Sequence, residues 1–250
     1  MKEFTGKLKK IKPNILIKKE ENNRVDNLFL VLGLIYNDLK GLILWNRLLY
    51  ENYRNPTSGE ISCHSGEFSG MQSQIYRLLI SLIGEFLISL QKHKDTINSI
   101  EFRLIEKDLP KNLQDRWKKI CAIAFGANNK HTPDFLSRIA EIRNNVTFHY
   151  DHSGKVMRKS FIKKFYETPK DSSNNFAFYS LGPKMESTRF YYCDGAIVEY
   201  INEHLIKQDE NYFENAIKLV GEMNQVIVAL STVHIDKKVT QNESQNSSLQ

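Results

Sequence analysis

Ile75-Tyr76-Arg77-Leu78-Leu79-Ile80-Ser81-Leu82-Ile83-Gly84-Glu85-Phe86-Leu87-Ile88-Ser89-Leu90 decides the fold class of a 250-residue chain. Within it Ile75, Leu78, Leu79, Leu82, Ile83, Phe86, Leu87 and Leu90 gather on one side of an α-helix, in a face wide enough to touch two neighbours. Arg77, Ser81, Gly84 and Glu85 break the run, which falls short of the roughly 20 apolar residues that a bilayer span needs. A core helix starting near Gly66 is therefore expected, and no membrane segment.

On the N-terminal side, Val25, Leu28, Leu32, Ile35, Leu39, Leu42 and Leu49 form a second stripe, with Asn46 its only polar member. It predicts a helix of about 25 to 30 residues that ends before Asn55-Pro56-Thr57-Ser58-Gly59. Two long antiparallel helices joined by a loop make half of a bundle. On the C-terminal side, helical patterns cover 97–107 and 111–125, the latter between Pro110 and Gly126. A further helix opens after Pro133-Asp134 on the stripe Phe135, Ile139, Ile142 and Val146, whose next step is His149. Helical signal returns at 156–167 and 195–207, and a last helix is expected from Glu210 to Val233, with Phe213, Ile217, Val220, Met223, Ile227 and Leu230 inward.

One region departs from this pattern. Residues 176–181 and 188–192 are aromatic, β-favouring runs around Gly182-Pro183, and predict a small β-hairpin within about 175–193. Its aromatic rings suit base stacking, or cover for the bundle end or a partner subunit. One helical domain over 23–235 is expected, preceded by a basic arm at 1–22 with a short strand at 15–17. The tail at 236–250 is rich in Gln, Asn and Ser and is expected to be disordered.

A formal charge of +6 and a pI near 9.0 suit a polyanionic partner. In the arm, Lys7, Lys9, Lys10 and Lys12 are candidates for RNA phosphate contacts, or else a solvated leader. Cys63, Cys121 and Cys193 are odd in number and widely spaced, which points to a reducing cytoplasm. The first residues lack the apolar run of a secretory leader. No glycine-rich phosphate loop occurs, so a nucleotide-hydrolysing motor is excluded, and no flanking signature marks a Ser or Cys nucleophile. His149, Asp151 and His152 lack a second cluster at ligand spacing, so neither a metal nor another cofactor is expected.

Chemistry concentrates in Arg143-Asn144-Asn145-Val146-Thr147-Phe148-His149. A guanidinium presents a fork of donors to a phosphate and stays charged at any working pH, and an imidazole gives or takes a proton near neutrality. Those are the groups that cutting RNA without a metal requires. On an ideal helix, positions six apart lie about 120° apart and rise about 9 Å, too far to grip one phosphate. Either the helix bends at Asn144-Asn145 and the β-branched pair after them, or a two-fold dimer supplies both groups.

Together with Tyr150-Asp151, the segment resembles the signature of the HEPN superfamily, in which an Arg, usually followed by a polar residue such as Asn, precedes a His by a few residues. The resemblance implies a mainly α, HEPN-like helical bundle, here with extra helices and one hairpin, that acts as a homodimeric, metal-independent endoribonuclease. It implies proton transfer by His149, phosphate binding by Arg143, and an orienting hydrogen bond from Asn144. Tyr150, Asp151 and Glu85 are candidate supports, Tyr150 as the target of a regulatory or antitoxin partner. A toxin or anti-phage role follows by analogy. The alternative is a non-catalytic RNA- or protein-binding module, with His149 an ordinary buried histidine and Arg143 a surface cation.

Overall fold

The structure is a computed structural model that describes residues 8–126, Ile139, Ile142, 150–167, 176–206 and 212–247. Among these residues the chain is mainly α-helical and holds no sheet. Helix α1 is a single turn, Pro13–Leu16, and the two long helices are α2, Arg24–Asn52, and α3, Cys63–Lys92. Short helices α4, Lys94–Ile97, and α5, Ile100–Lys107, precede α6, Lys111–Phe125. After them come α7, Tyr150–Ile162, α8, Tyr191–Ile201, and α9, Tyr212–Ser247.

Local chemistry sets the ends of the long helices. The Asn23 side chain accepts from the backbone N–H groups of Val25 and Asp26 at 2.7 and 3.1 Å, which satisfies two orphan donors of α2. At the start of α3, Ser62 and Ser65 bond reciprocally, each hydroxyl accepting the other's N–H at 3.1 Å. The connecting loop is tied by Arg54, whose Nη1 and Nη2 donate to the Glu60 carboxylate at 2.8 and 2.9 Å. That pairing, with a hydrogen bond from Ser62 Oγ at 2.6 Å, holds the Glu60 carboxyl far below the usual carboxylate range. Helix α6 stops at Gly126, whose φ of 69° suits the left-handed C-cap.

Helices α2, α3, α6 and α9 form the core, in which α2 packs on α3 and α9, and α6 closes the far side against both. Tyr50 meets Phe68 edge-on at 5.4 Å, so the end of α2 lies beside the start of α3. Lys119 of α6 pairs with Glu222 of α9 at 3.3 Å, and the start of α2 reaches the end of α9 through Asp26 and Lys238. Helix α2 therefore runs antiparallel to both α3 and α9, the first pairing as the sequence leads one to expect. Trp117, Phe86 and Phe102 are the largest fully buried side chains. Helices α7 and α8 pack on each other, with α8 also against α3.

Two glycines of α3 mark close approaches. A Cβ at Gly84 would lie 2.5 Å from Ile139 Cγ2, and one at Gly70 would strike the guanidinium of Arg189. Arg189 lies there because it bridges Glu67 of α3, at 3.1 Å, and Asp194 of α8, at 2.8 Å.

Three expectations differ from what is observed. The aromatic region holds one antiparallel bridge, Ser180 with Arg189, with N–H···O distances of 2.8 and 3.0 Å. Tyr191 and Tyr192 do not extend a strand; they open α8, where Tyr191 covers Gly66 and Tyr192 meets Phe161 edge-on at 6.2 Å. Packing of these rings on helices outweighs their β preference, which depends on context. The segment 15–17 is not a strand either, because Pro13 at the first helical position starts the turn of α1. The tail expected to be disordered continues α9 through Ser247. Lys237 pairs with Asp108 at 2.5 Å and Lys238 with Asp26 at 2.7 Å, so charge contacts extend a helix that apolar spacing ends at Val233.

Length and apolar content also reach further than the run at 75–90 indicates. Helices α2, α3 and the Ala216–Ser244 part of α9 are each long and apolar enough to cross a membrane. Half or less of each apolar window is buried within the molecule, so apolar surface remains outside.

Candidate functional site

Arg143, Asn144 and His149 lie outside the described residues, as does Lys7. The structure describes what brackets them. Ile139 and Ile142 are helical and fully within the core, as two members of the predicted stripe, and Tyr150 and Asp151 open α7. Ile139 seats against Gly84, and the next residue of α3 is Glu85, half-buried. Glu85 therefore neighbours, along α3, the point where the segment leading to Arg143 joins the core.

Lys9, Lys10 and Lys12 are exposed, and α1 directly after them packs on α9. Their ammonium groups thus have the solvent access that phosphate contact needs.

Sequence reasoning missed one charged cluster. Asp26, His234 and Lys238 meet where α2 begins and α9 nears its end, with His234 Nε2 3.4 Å from Asp26 Oδ1 and Lys238 Nζ 2.7 Å from Asp26 Oδ2. The His234 ring stacks on Phe29 at 4.0 Å. Burial pushes the imidazole down to about 4, against the opposing pull of Asp26. A neutral imidazole locked between an aromatic ring and a carboxylate serves as a joint between two helices. No spacing rule links positions 26 and 234, so only the folded chain reveals the contact.

Among the described residues, no group of three or more His, Cys, Asp or Glu side chains is placed to hold a metal ion. Cys121 is buried, and desolvation pushes its thiol up to about 12, which makes it a poor nucleophile. Two adjoining cavities among the described residues are apolar, one of about 450 Å3 between the end of α2 and the first half of α3 and one of about 300 Å3 beside it, and a third of about 340 Å3 lies between the start of α3 and Tyr179 and Tyr191.

Compared with known proteins, the chain matches no family model, and no curated protein or solved structure is similar to it.

Proposed function

We propose that this chain is a cytoplasmic, metal-independent endoribonuclease of HEPN type, a toxin or anti-phage effector that works as a homodimer on RNA. The carrying observation is the order of residues in a helical protein. Arg143-Asn144 follows Ile139 and Ile142, which are buried in the bundle, and His149 precedes α7 directly. Buried residues before the motif and a helix directly after it support this reading, because catalytic groups act best from rigid elements.

In this mechanism His149 takes the proton of the 2′-hydroxyl or gives one to the departing 5′-oxygen, and the second copy's His149 serves the other oxygen. Arg143 neutralises the charge that grows on the phosphate oxygens. The 2′-oxygen–phosphorus bond forms as the phosphorus–5′-oxygen bond breaks, leaving a 2′,3′-cyclic phosphate and a 5′-hydroxyl. Asn144 orients one of the two groups, and the exposed Lys9, Lys10 and Lys12 hold flanking phosphates. Purified protein should cut RNA in excess EDTA, and His149→Ala should lower the rate by about 10²–10⁴-fold. A non-catalytic protein-binding module has one observation in its favour, the apolar groove between α2 and α3.

A further inference from the structure

Helix α3 turns a polar face toward α8. Gln72, Ser73 and Tyr76 lie within about one turn of each other on α3. With Val198 and Ile201 of α8, and Asn202 directly after it, they line a cavity of about 260 Å3.

Three polar groups of this cavity have no partner in the chain. Ser73 is only 9% exposed and its hydroxyl makes no hydrogen bond, although a helical serine readily bonds back to the carbonyl four residues earlier. The side-chain amide of Asn202 is likewise unbonded. Gln72 donates through Nε2 to the phenols of Tyr50 and Tyr76, the latter at 3.3 Å, which leaves its carbonyl oxygen open. A buried hydroxyl without a partner destabilises a fold, so its presence beside two further open groups points to bonds made outside the chain. Water alone would suit these groups, but it gains nothing from Val198 and Ile201, which face the same space.

Chemistry narrows the ligand. Among the described residues that line the cavity none is charged, so neither a phosphate nor a carboxylate finds a counter-ion there. Burial raises the Tyr76 phenol above its ordinary value, so it too stays neutral. Val198, Ile201 and the Tyr76 ring supply apolar walls against which a flat ring can lie. A side-chain amide presents a donor beside an acceptor, the complement of the N6 amino group and N7 of adenine. Guanine offers two acceptors on that edge and calls for Arg or Lys, which the described lining lacks. The volume is just below the roughly 300–1,000 Å3 of pockets for drug-sized ligands, room for one base and not for a large cofactor.

We infer that the cavity between α3 and α8 binds an adenine base. Asn202 accepts one N6 hydrogen and donates to N7, Gln72 accepts the other N6 hydrogen, Ser73 donates to N1, and the Tyr76 ring covers one face. Free adenosine and an adenylate within a strand carry the same base. The site is separate in sequence from Arg143 and His149, and its test reads binding rather than cleavage.

Isothermal titration of the full chain with adenosine should show saturable binding about tenfold tighter than with uridine. Asn202→Asp keeps the shape but removes the amide donor, and should weaken adenosine binding by about fivefold or more. Ser73→Ala should weaken it several-fold while the urea midpoint of the unliganded protein holds or rises, because the hydroxyl has no partner to lose. Hexadeoxyadenylate has no 2′-hydroxyl to attack its own chain. Tighter binding of it than of adenosine would assign the base to a nucleic-acid strand, and equal or weaker binding would assign it to a free nucleoside. No binding of adenosine at millimolar concentration, equal affinity for uridine, or unchanged affinity in both variants would overturn the inference. So would a lower urea midpoint for Ser73→Ala, which would give the hydroxyl a role in the fold.

Discussion

Leu39 and Leu34 are five positions apart on one helix, yet Leu39 is 0% exposed and Leu34 61%. Both faces of α2 carry large apolar residues, and spacing in the sequence marks only the stripe from Val25 to Leu49 as core-facing. What separates them is coverage: among the described residues, α3 and α9 close over one stripe and leave the other exposed. Apolar periodicity thus identifies a helix more surely than it identifies the partner of each face.

This contrast breaks most visibly in stability. Leu39→Ala should cost about 2–5 kcal/mol in urea unfolding, since it opens a cavity in a packed core. Leu34→Ala, measured where the protein is monomeric, should change stability by no more than about 0.5 kcal/mol. Equal costs would mean that both faces are covered within one chain.

A smaller effect sharpens the buried face, where His234 stacks on Phe29 and meets Asp26. Burial lowers its pKa from the ordinary 6.5 to about 4, so folding favours the neutral ring. The stabilisation is complete above pH 6.5 and is lost as pH falls toward 4, where the unfolded chain binds a proton that the folded one refuses. The urea midpoint should fall through that window, and His234→Gln should flatten this part of the decline. An unchanged profile in the variant would assign the acid loss to other groups.

The next effect concerns the start of α2, common to both stripes. Asn23→Ala removes the acceptor for the N–H groups of Val25 and Asp26 and should cost about 1 kcal/mol. No change in unfolding midpoint would show that water replaces the cap. The smallest effect belongs to the basic arm: deleting residues 2–12 should flatten the salt dependence of RNA binding by roughly 0.7 in log–log slope per lost phosphate contact. An unaltered slope would reduce Lys9, Lys10 and Lys12 to a solvated leader.

The long helices were legible because their stripes are dense and punctuated by Pro56, Pro110 and Gly126, whereas α3 opens at Cys63 behind the Ser62 cap, ahead of the start expected near Gly66. The aromatic region was not, because Tyr191 and Tyr192 favour strands in isolation and here pack from a helix. The continuation of α9 was hidden for another reason: Lys237 and Lys238 find Asp108 and Asp26, positions that spacing in sequence cannot connect. For the candidate site, Arg143, Asn144 and His149 are legible as chemistry and spacing, and the structure describes their anchors, Ile139, Ile142 and α7. Glu85 was legible only as an interruption of an apolar face, and its closeness to the seat of Ile139 required the fold.

The most direct test of the proposed function is the identity of the products when purified protein is incubated with RNA in excess EDTA. Fragments ending in a 2′,3′-cyclic phosphate and beginning with a 5′-hydroxyl, absent with His149→Ala and Arg143→Ala proteins of unchanged circular dichroism, are the predicted result. Intact RNA, or cleavage that persists undiminished in the His149→Ala protein, would contradict it.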